Sequence, residues 1–330
     1  MPTVAPIDLD DHCLATAFLG EVPAFALASG QVVRLDHGTQ RHELHDGLLA
    51  ATTTWDNQSL ITGGEDGKVM RLGADGTQTV LREPARKWVS AVAAGPQGAV
   101  AFTEGRVATV MLADGTQQRS FEEARTIEGL AFAPKGMRLA MARYNGVSLA
   151  FVNGNAPAVD FEWKGAHNQV MFHPDGRFLV TAMQENALHG WKLDGKPGSE
   201  QRHMRMTGYP AKVKSLSWSN RGKWLASSGA PSAIVWPFSG KDGPMGKAPK
   251  ELGQRADTMV TCVACHPVED LVAIGFGDGM VLAVRIADSK EALLRRPGKG
   301  PITAMTWNKP GRLLAFGSQA GDCGVVDIAG

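Results

Sequence analysis

Along the chain, short apolar runs alternate with turns in one fixed order. An apolar strand and a turn lead to a second apolar strand, then to a tight turn that usually holds glycine, and then to a third strand with a bulky apolar residue near its end. The order returns about every 40 residues, an interval typical of repeat architectures. The tight turns are Ser29-Gly30, Asp66-Gly67, Glu104-Gly105, Asn145-Gly146, Glu185-Asn186, Ala230-Pro231, Asp278-Gly279 and Ala320-Gly321. Six positions after the first residue of each turn stand Leu35, Leu72, Val110, Phe151, Trp191, Trp236, Val284 and Val326. Eight in-phase units leave almost no chain over, so residues 1–330 read as one domain, although length alone would allow two or three.

The fifth unit shows the grammar best. Gln169-Val170-Met171-Phe172 is followed by His173-Pro174-Asp175-Gly176, then Phe178-Leu179-Val180-Thr181-Ala182, then Leu188-His189-Gly190-Trp191. Short strands separated by Pro, Asn, Asp and Gly predict an antiparallel meander. The same first turn returns as Ala133-Pro134-Lys135-Gly136, Ser219-Asn220-Arg221-Gly222, His266-Pro267 and Asn308-Lys309-Pro310-Gly311, and Phe132, Phe172, Trp218 and Trp307 precede four of the five. Between units runs a fourth, more polar strand, such as Thr77-Gln78-Thr79-Val80-Leu81 or Ala158-Val159-Asp160-Phe161-Glu162, whose polarity places it at an outer edge.

This pattern resembles the WD40-repeat β-propeller, an all-β fold of four-stranded antiparallel blades around a central channel. The resemblance covers essentially the whole chain, with degenerate repeats. No third strand ends in the Trp-Asp pair that names the family; Trp191-Lys192 and Trp236-Pro237 come nearest. The family often locks a blade with hydrogen-bonded His, Ser or Thr, Asp and Trp. The second unit keeps His45, Thr62 and Asp66 but has Leu72 in the Trp place, so the resemblance implies a partial lock there. Eight sets of strands predict eight blades. The eighth set lacks an outer strand, which residues 3–9 can supply, removing an open edge. Seven blades would follow if the first unit, whose first turn Glu21-Val22-Pro23 is poor, were irregular.

Composition narrows the chemistry. Hydrophobic residues make up 43 % of the chain, with 39 glycines and 18 prolines, as many short strands require. No segment is apolar enough for a membrane helix. Asp8, Asp10 and Asp11 stand where a secretory signal would need positive charge, so export by that route is not expected. Four scattered cysteines are no disulfide framework, and a reducing cytoplasm is the expected location. Cys262 and Cys265 have a two-residue spacing, but strand residues three apart point to opposite faces, so no shared metal is expected. Ser227-Ser228-Gly229 lacks the strand-turn-helix setting of a nucleophile elbow. The run Gly275-Phe276-Gly277-Asp278-Gly279 lacks the Lys-Ser/Thr ending of a phosphate loop. No catalytic residue and no cofactor is expected.

Net charge is only +1, yet basic residues recur in the loops joining one unit to the next. They are Arg86 and Lys87, Arg125, Lys164, Lys212, Arg255, and Arg295, Arg296 and Lys299. In propellers of the family these loops share a rim where partners often dock, so the resemblance implies one electropositive face. Trp88, Arg143, Tyr144 and His167 lie beside it as candidate anchors, because Trp, Tyr and Arg are enriched in binding hot spots. Filling the space between two blades is the plainer role for Trp88. The expected function is a non-catalytic scaffold presenting this basic rim to a protein partner, such as an acidic peptide or a neighbouring subunit. The alternative is a ligand binder or enzyme at the channel mouth, using His167, Arg125, Tyr144 and Glu185. Nucleic acid is a poor fit, since the charge is near balance and aromatics for base stacking are few. Residues 239–250, with glycines, prolines and lysines, read as an exposed flexible loop.

Overall fold

The computed structural model describes residues 2–193 and 203–329. They form two compact units, Met1–His42 with Gly208–Gly330, and Glu43–Thr207. Both are built of antiparallel sheets, and in all but the last the strands follow one another in sequence order.

In the second unit one sheet runs Leu48–Thr53, Ser59–Gly64, Val69–Gly73, Gln78–Arg82, and the next Val92–Ala94, Val100–Glu104, Val107–Met111, Gln117–Glu122. A third, six-stranded sheet runs Ile127–Phe132, Arg138–Phe151, Val159–Phe172, Phe178–Met183, Leu188–Lys192, His203–Met206. Its two long strands carry two blade-sized sets. Fully extended, Met137 and Val152 would stand about 50 Å apart, yet the Val152 N–H donates to the Met137 carbonyl at 2.8 Å. The chain therefore folds back on itself at Tyr144-Asn145-Gly146. Residues 147–149 of that strand pair with residues 159–161. Beyond Ala166 the same strand turns to pair with Phe178–Met183, opening the fifth set.

The first unit contains the sheet Cys13–Leu19, Val22–Leu27, Gln31–Leu35, Thr39–Glu43, and two more of the same order. These are Leu216–Trp218, Trp224–Ser227, Ala233–Pro237, Lys250–Leu252, and Val260–Cys265, Leu271–Phe276, Val281–Arg285, Glu291–Arg295. The last sheet is Ile302–Trp307, Leu313–Ser318, Asp322–Asp327, completed by Thr3–Asp8. Thr3 pairs with Asp327 and Asp8 with Asp322, so the chain's first strand supplies the outer strand as expected. Among the described residues, hydrogen bonding gives seven sheets, and the six-stranded one holds the fourth and fifth of eight strand sets. The first set is regular after all: Leu19 pairs with Val22 across a Gly20-Glu21 turn.

Strand composition follows position. Middle strands are covered on both faces and read as continuous apolar runs; in Leu271–Phe276, Val272 and Ile274 enter one core cluster and Ala273 the next. Outer strands such as Gln78–Arg82 are mostly exposed. Six of the eight third-strand positions are buried, with Leu35 partly exposed and Phe151 43 % exposed. Before Phe151 the pairing register shifts between Tyr144, which pairs with Ala166, and Gly146, which pairs with Glu162. Ala150 and Val152 take the inward places. Gly146 is required here: its φ is +132°, and a Cβ would lie 2.1 Å from the Phe161 carbonyl oxygen. The 239–250 segment is a run of turns, half of it exposed. Gly243 and Pro244 are buried, and Lys247 Nζ donates to the Ser239 carbonyl at 2.6 Å.

Candidate interaction face

Three polar locks hold the blades that carry the loops. In the second blade His45 Nδ1 meets Asp66 Oδ1 at 3.0 Å and Nε2 meets Thr62 Oγ1 at 2.9 Å, while Leu72 fills the fourth place without a polar group. Burial would raise the Asp66 carboxyl, but hydrogen bonds from His45 and Lys68 hold it below the ordinary carboxylate value. In the fifth blade His167 Nδ1 meets Thr181 Oγ1 at 2.7 Å and Nε2 donates to the Trp163 carbonyl at 3.0 Å. Blade six uses a residue the sequence did not advertise. Trp236 Nε1 donates to the Tyr209 hydroxyl at 2.7 Å, and that hydroxyl meets Ser227 Oγ at 2.7 Å. Burial pushes the Tyr209 phenol up to about 12. The signal was the spacing, since Tyr209 lies 27 residues before Trp236 as His45 lies 27 before Leu72. Tyr209→Phe should cost about 1–3 kcal/mol in urea unfolding, because a buried indole N–H loses its acceptor.

The joining loops are pinned to the preceding tight turns. Ala85 N–H donates to the Asp66 carbonyl and Val89 N–H to the Gly64 carbonyl, both at 3.0 Å. Gly67, at φ +73°, admits this close approach, since a Cβ would meet the Ala85 carbonyl at 2.5 Å. With Val89 fully buried, Arg86, Lys87 and Trp88 face solvent. Trp88 is 58 % exposed, so it does not fill the space between blades. The next loop is held by Ile127 N–H on the Gly105 carbonyl at 2.9 Å, leaving Arg125 exposed. Tyr144 is 51 % exposed and Lys164 is exposed.

Other predicted site residues are placed differently. His167 is completely buried and spends both nitrogens on the fifth-blade lock, so it presents nothing to a partner or to a substrate. Arg143 is spent internally, donating to Glu123 at 2.9 Å and Asp160 at 2.6 Å. In the first unit Arg255 is held by Glu291 at 2.7 Å and Lys299 by Asp8 at 3.1 Å, while Lys212 is half-buried. By contrast Arg86, Lys87, Arg125 and Lys164 make no ion pair with any described residue. Unneutralised charge among the predicted residues thus concentrates in the second unit, with exposed Arg296 the exception in the first.

Two clefts open beside it. One, of about 550 Å³, is lined by Arg86, Lys87, Trp88, Glu104, Arg106 and Glu122. The other, of about 400 Å³, is lined by Tyr144, Trp163, Lys164, Glu185, His189 and Arg205, among others. Among the described residues no three His, Cys, Asp or Glu side chains converge as metal ligands. Cys262 accepts from the Ser215 hydroxyl and the Cys265 thiol donates to the Ser217 carbonyl, and burial pushes these thiols up to about 11 and about 12. Both are therefore thiols rather than thiolates at neutral pH. No helix of the described residues is long and apolar enough to cross a membrane.

Strand order, blade pairing and locks define a WD40-type β-propeller class. Residues 255–330 match the anaphase-promoting complex subunit 4 WD40 domain and residues 200–236 the WD domain, G-beta repeat. WD repeat-containing protein 55 of Rattus norvegicus is 26% identical over 199 residues, covering 58% of this chain and 50% of that protein. The chain thus spans about half the length of the curated relatives it matches. Among solved structures, the C-terminal WD40 domain of Sif2 has a TM-score of 0.74 at 13% identity, covering 99% of both chains. The computationally designed Ika8 protein has a TM-score of 0.76 at 17% identity, covering 97% of this chain and 98% of that one. The chain is thus similar to WD40-repeat proteins in sequence over these segments and in fold along its length. Propellers of this family are generally non-catalytic scaffolds for protein partners.

Proposed function

We propose that the protein is a non-catalytic scaffold whose second unit binds an acidic segment of a protein partner. The observation that carries this is the set of unpaired cations, Arg86, Lys87, Arg125 and Lys164, beside the exposed rings of Trp88 and Tyr144. Internally paired cations gain little from a partner. Unpaired ones keep their donors available for a carboxylate, and nearby aromatic faces add contact area at low entropy cost.

The test is affinity capture from the native cell extract at low and high salt. Changing Arg86, Lys87, Arg125 and Lys164 together to Glu should abolish recovery of the specific partner, whereas Lys135→Glu with Lys309→Glu, exposed in first-turn loops, should leave it unchanged. Recovery from the unchanged protein should weaken between low salt and about 0.5 M as the ionic attraction is screened. A capture profile identical for both variants rejects the proposal.

A further inference from the structure

We propose that the cleft of about 400 Å³ in the second unit is a receptor for a carboxylate side chain of the acidic partner, gripped by Arg205, Lys164 and the His189 ring. This rests on the scaffold reading above and names the pocket within that face.

Trp163 organises the site. His189 stacks on its ring with centroids 4.2 Å apart and planes 13° apart, and the Arg205 guanidinium carbon lies 5.3 Å from the ring centroid. The indole thus fixes an imidazole and a guanidinium in one cleft. His189 is 1 % exposed, yet its Nε2 meets no hydrogen-bond partner among the described residues. An unpartnered buried ring nitrogen lining a cleft is costly unless something fills the place. Arg205 and Lys164 form no ion pair with a described residue either.

The sign of the ligand follows from the charges present. The one lining acid, Glu185, already accepts the Ala166 N–H at 3.0 Å. A Cβ on Gly165 would lie 2.8 Å from its carboxylate, so the glycine lets that acid fold against the backbone. Two free cations therefore face one tethered anion, and a neutral imidazole can donate its Nε2 proton. A guanidinium with open donors binds a carboxylate through paired hydrogen bonds, the strong charge-assisted kind. Tyr144, 51 % exposed, supplies an apolar wall at the mouth. A cationic side chain would be repelled by the same two groups.

The probe is fluorescein-labelled hexaglutamate, followed by anisotropy at low salt, with the His189 ring nitrogens observed by ¹⁵N NMR. Arg205→Gln should weaken binding about tenfold or more. The His189 Nε2 resonance should move on saturation with hexaglutamate and stay still with hexalysine. An affinity of Arg205→Gln within about twofold of the unchanged protein, an amount within ordinary surface effects, overturns the pocket. An unmoved His189 resonance does the same. In either case hexaglutamate binding that is lost in Arg86→Gln with Lys87→Gln leaves the scaffold reading standing. Absence of binding by the unchanged protein overturns both. Displacement of the probe by inorganic phosphate at lower concentration than by glutarate overturns the assignment to carboxylate.

Discussion

Removal of residues 2–9 should lower the thermal midpoint by about 10 °C or more and turn the protein aggregation-prone. The strand Thr3–Asp8 pairs along its full length with Asp322–Asp327, and Leu9 N–H donates to the Gly321 carbonyl at 2.9 Å. Leu9 is buried and Ile7 packs against the same core cluster, which also holds Cys13, Phe25, Ala315 and Cys323. Losing one buried Leu and part of an Ile costs about 2–4 kcal/mol. A few ladder hydrogen bonds add about 0.5–1.5 kcal/mol each. The sum, about 5 kcal/mol, is a large share of a stability of about 5–15 kcal/mol. The deletion also bares the edge of residues 322–327, a template for pairing with another chain. Calorimetry and light scattering of the shortened protein test this, with a synthetic peptide of residues 2–12 added in trans. The peptide should recover part of the lost midpoint by adding the missing strand. An unchanged midpoint on deletion would show that the strand contributes nothing to the last blade.

The repeat was legible because it rests on local chemistry. Turn glycines, first-turn prolines and apolar strand runs are dictated by backbone conformation and burial, so eight strand sets and the borrowed outer strand could be read from spacing. The partial lock of His45, Thr62 and Asp66 followed from the family resemblance, and the second blade forms it with Leu72 in the fourth place. Charge pairing was not. Asp8 lies far along the chain from Lys299 and Glu291 well beyond Arg255, so only the fold reveals that these cations are already answered. The burial of His167 and the exposure of Trp88 depended on which face each short segment turns inward. Neighbouring backbone hydrogen bonds decide this, such as Val89 on Gly64. At Phe151 the reading failed by one residue, because Ala150 and Val152 take the buried places beyond the irregular turn at Tyr144-Asn145-Gly146. For residues 239–250 the expected exposed loop is found, but composition did not reveal the burial of Gly243 and Pro244.

Stability should fall steeply as pH drops from 7 to 4, and His189 should account for much of the slope. Burial pushes the His189 imidazole down to about 3, and electrostatic interaction with His203, His167 and Arg205 adds to the effect. His45 and His167 are also lowered by burial. In the unfolded chain each of these rings titrates near 6.5. Below that value the unfolded state binds protons that the folded state refuses, so folding loses free energy as pH falls. For His189 the stabilisation is whole above about 6.5 and is lost progressively toward about 3. Asp66, held below its ordinary value, adds a loss of the same sign, present above about 3.8 and lost as pH falls through its folded value. Each fully buried neutral ring contributes at most about 1.4 kcal/mol per pH unit, and water reaching the cleft beside His189 reduces its share. Urea midpoints measured between pH 7.5 and 4 should decline more gently for His189→Gln than for the unchanged protein, even though the substitution lowers stability at pH 7.5 by removing the stacked ring. Parallel curves would mean that His189 is free to charge in the folded state, and that the positive field assigned to its cleft is absent. Bound hexaglutamate should act in the opposite direction to Arg205, raising the His189 value toward neutrality by placing negative charge against the ring, so acid sensitivity and ligand binding probe the same field from two sides.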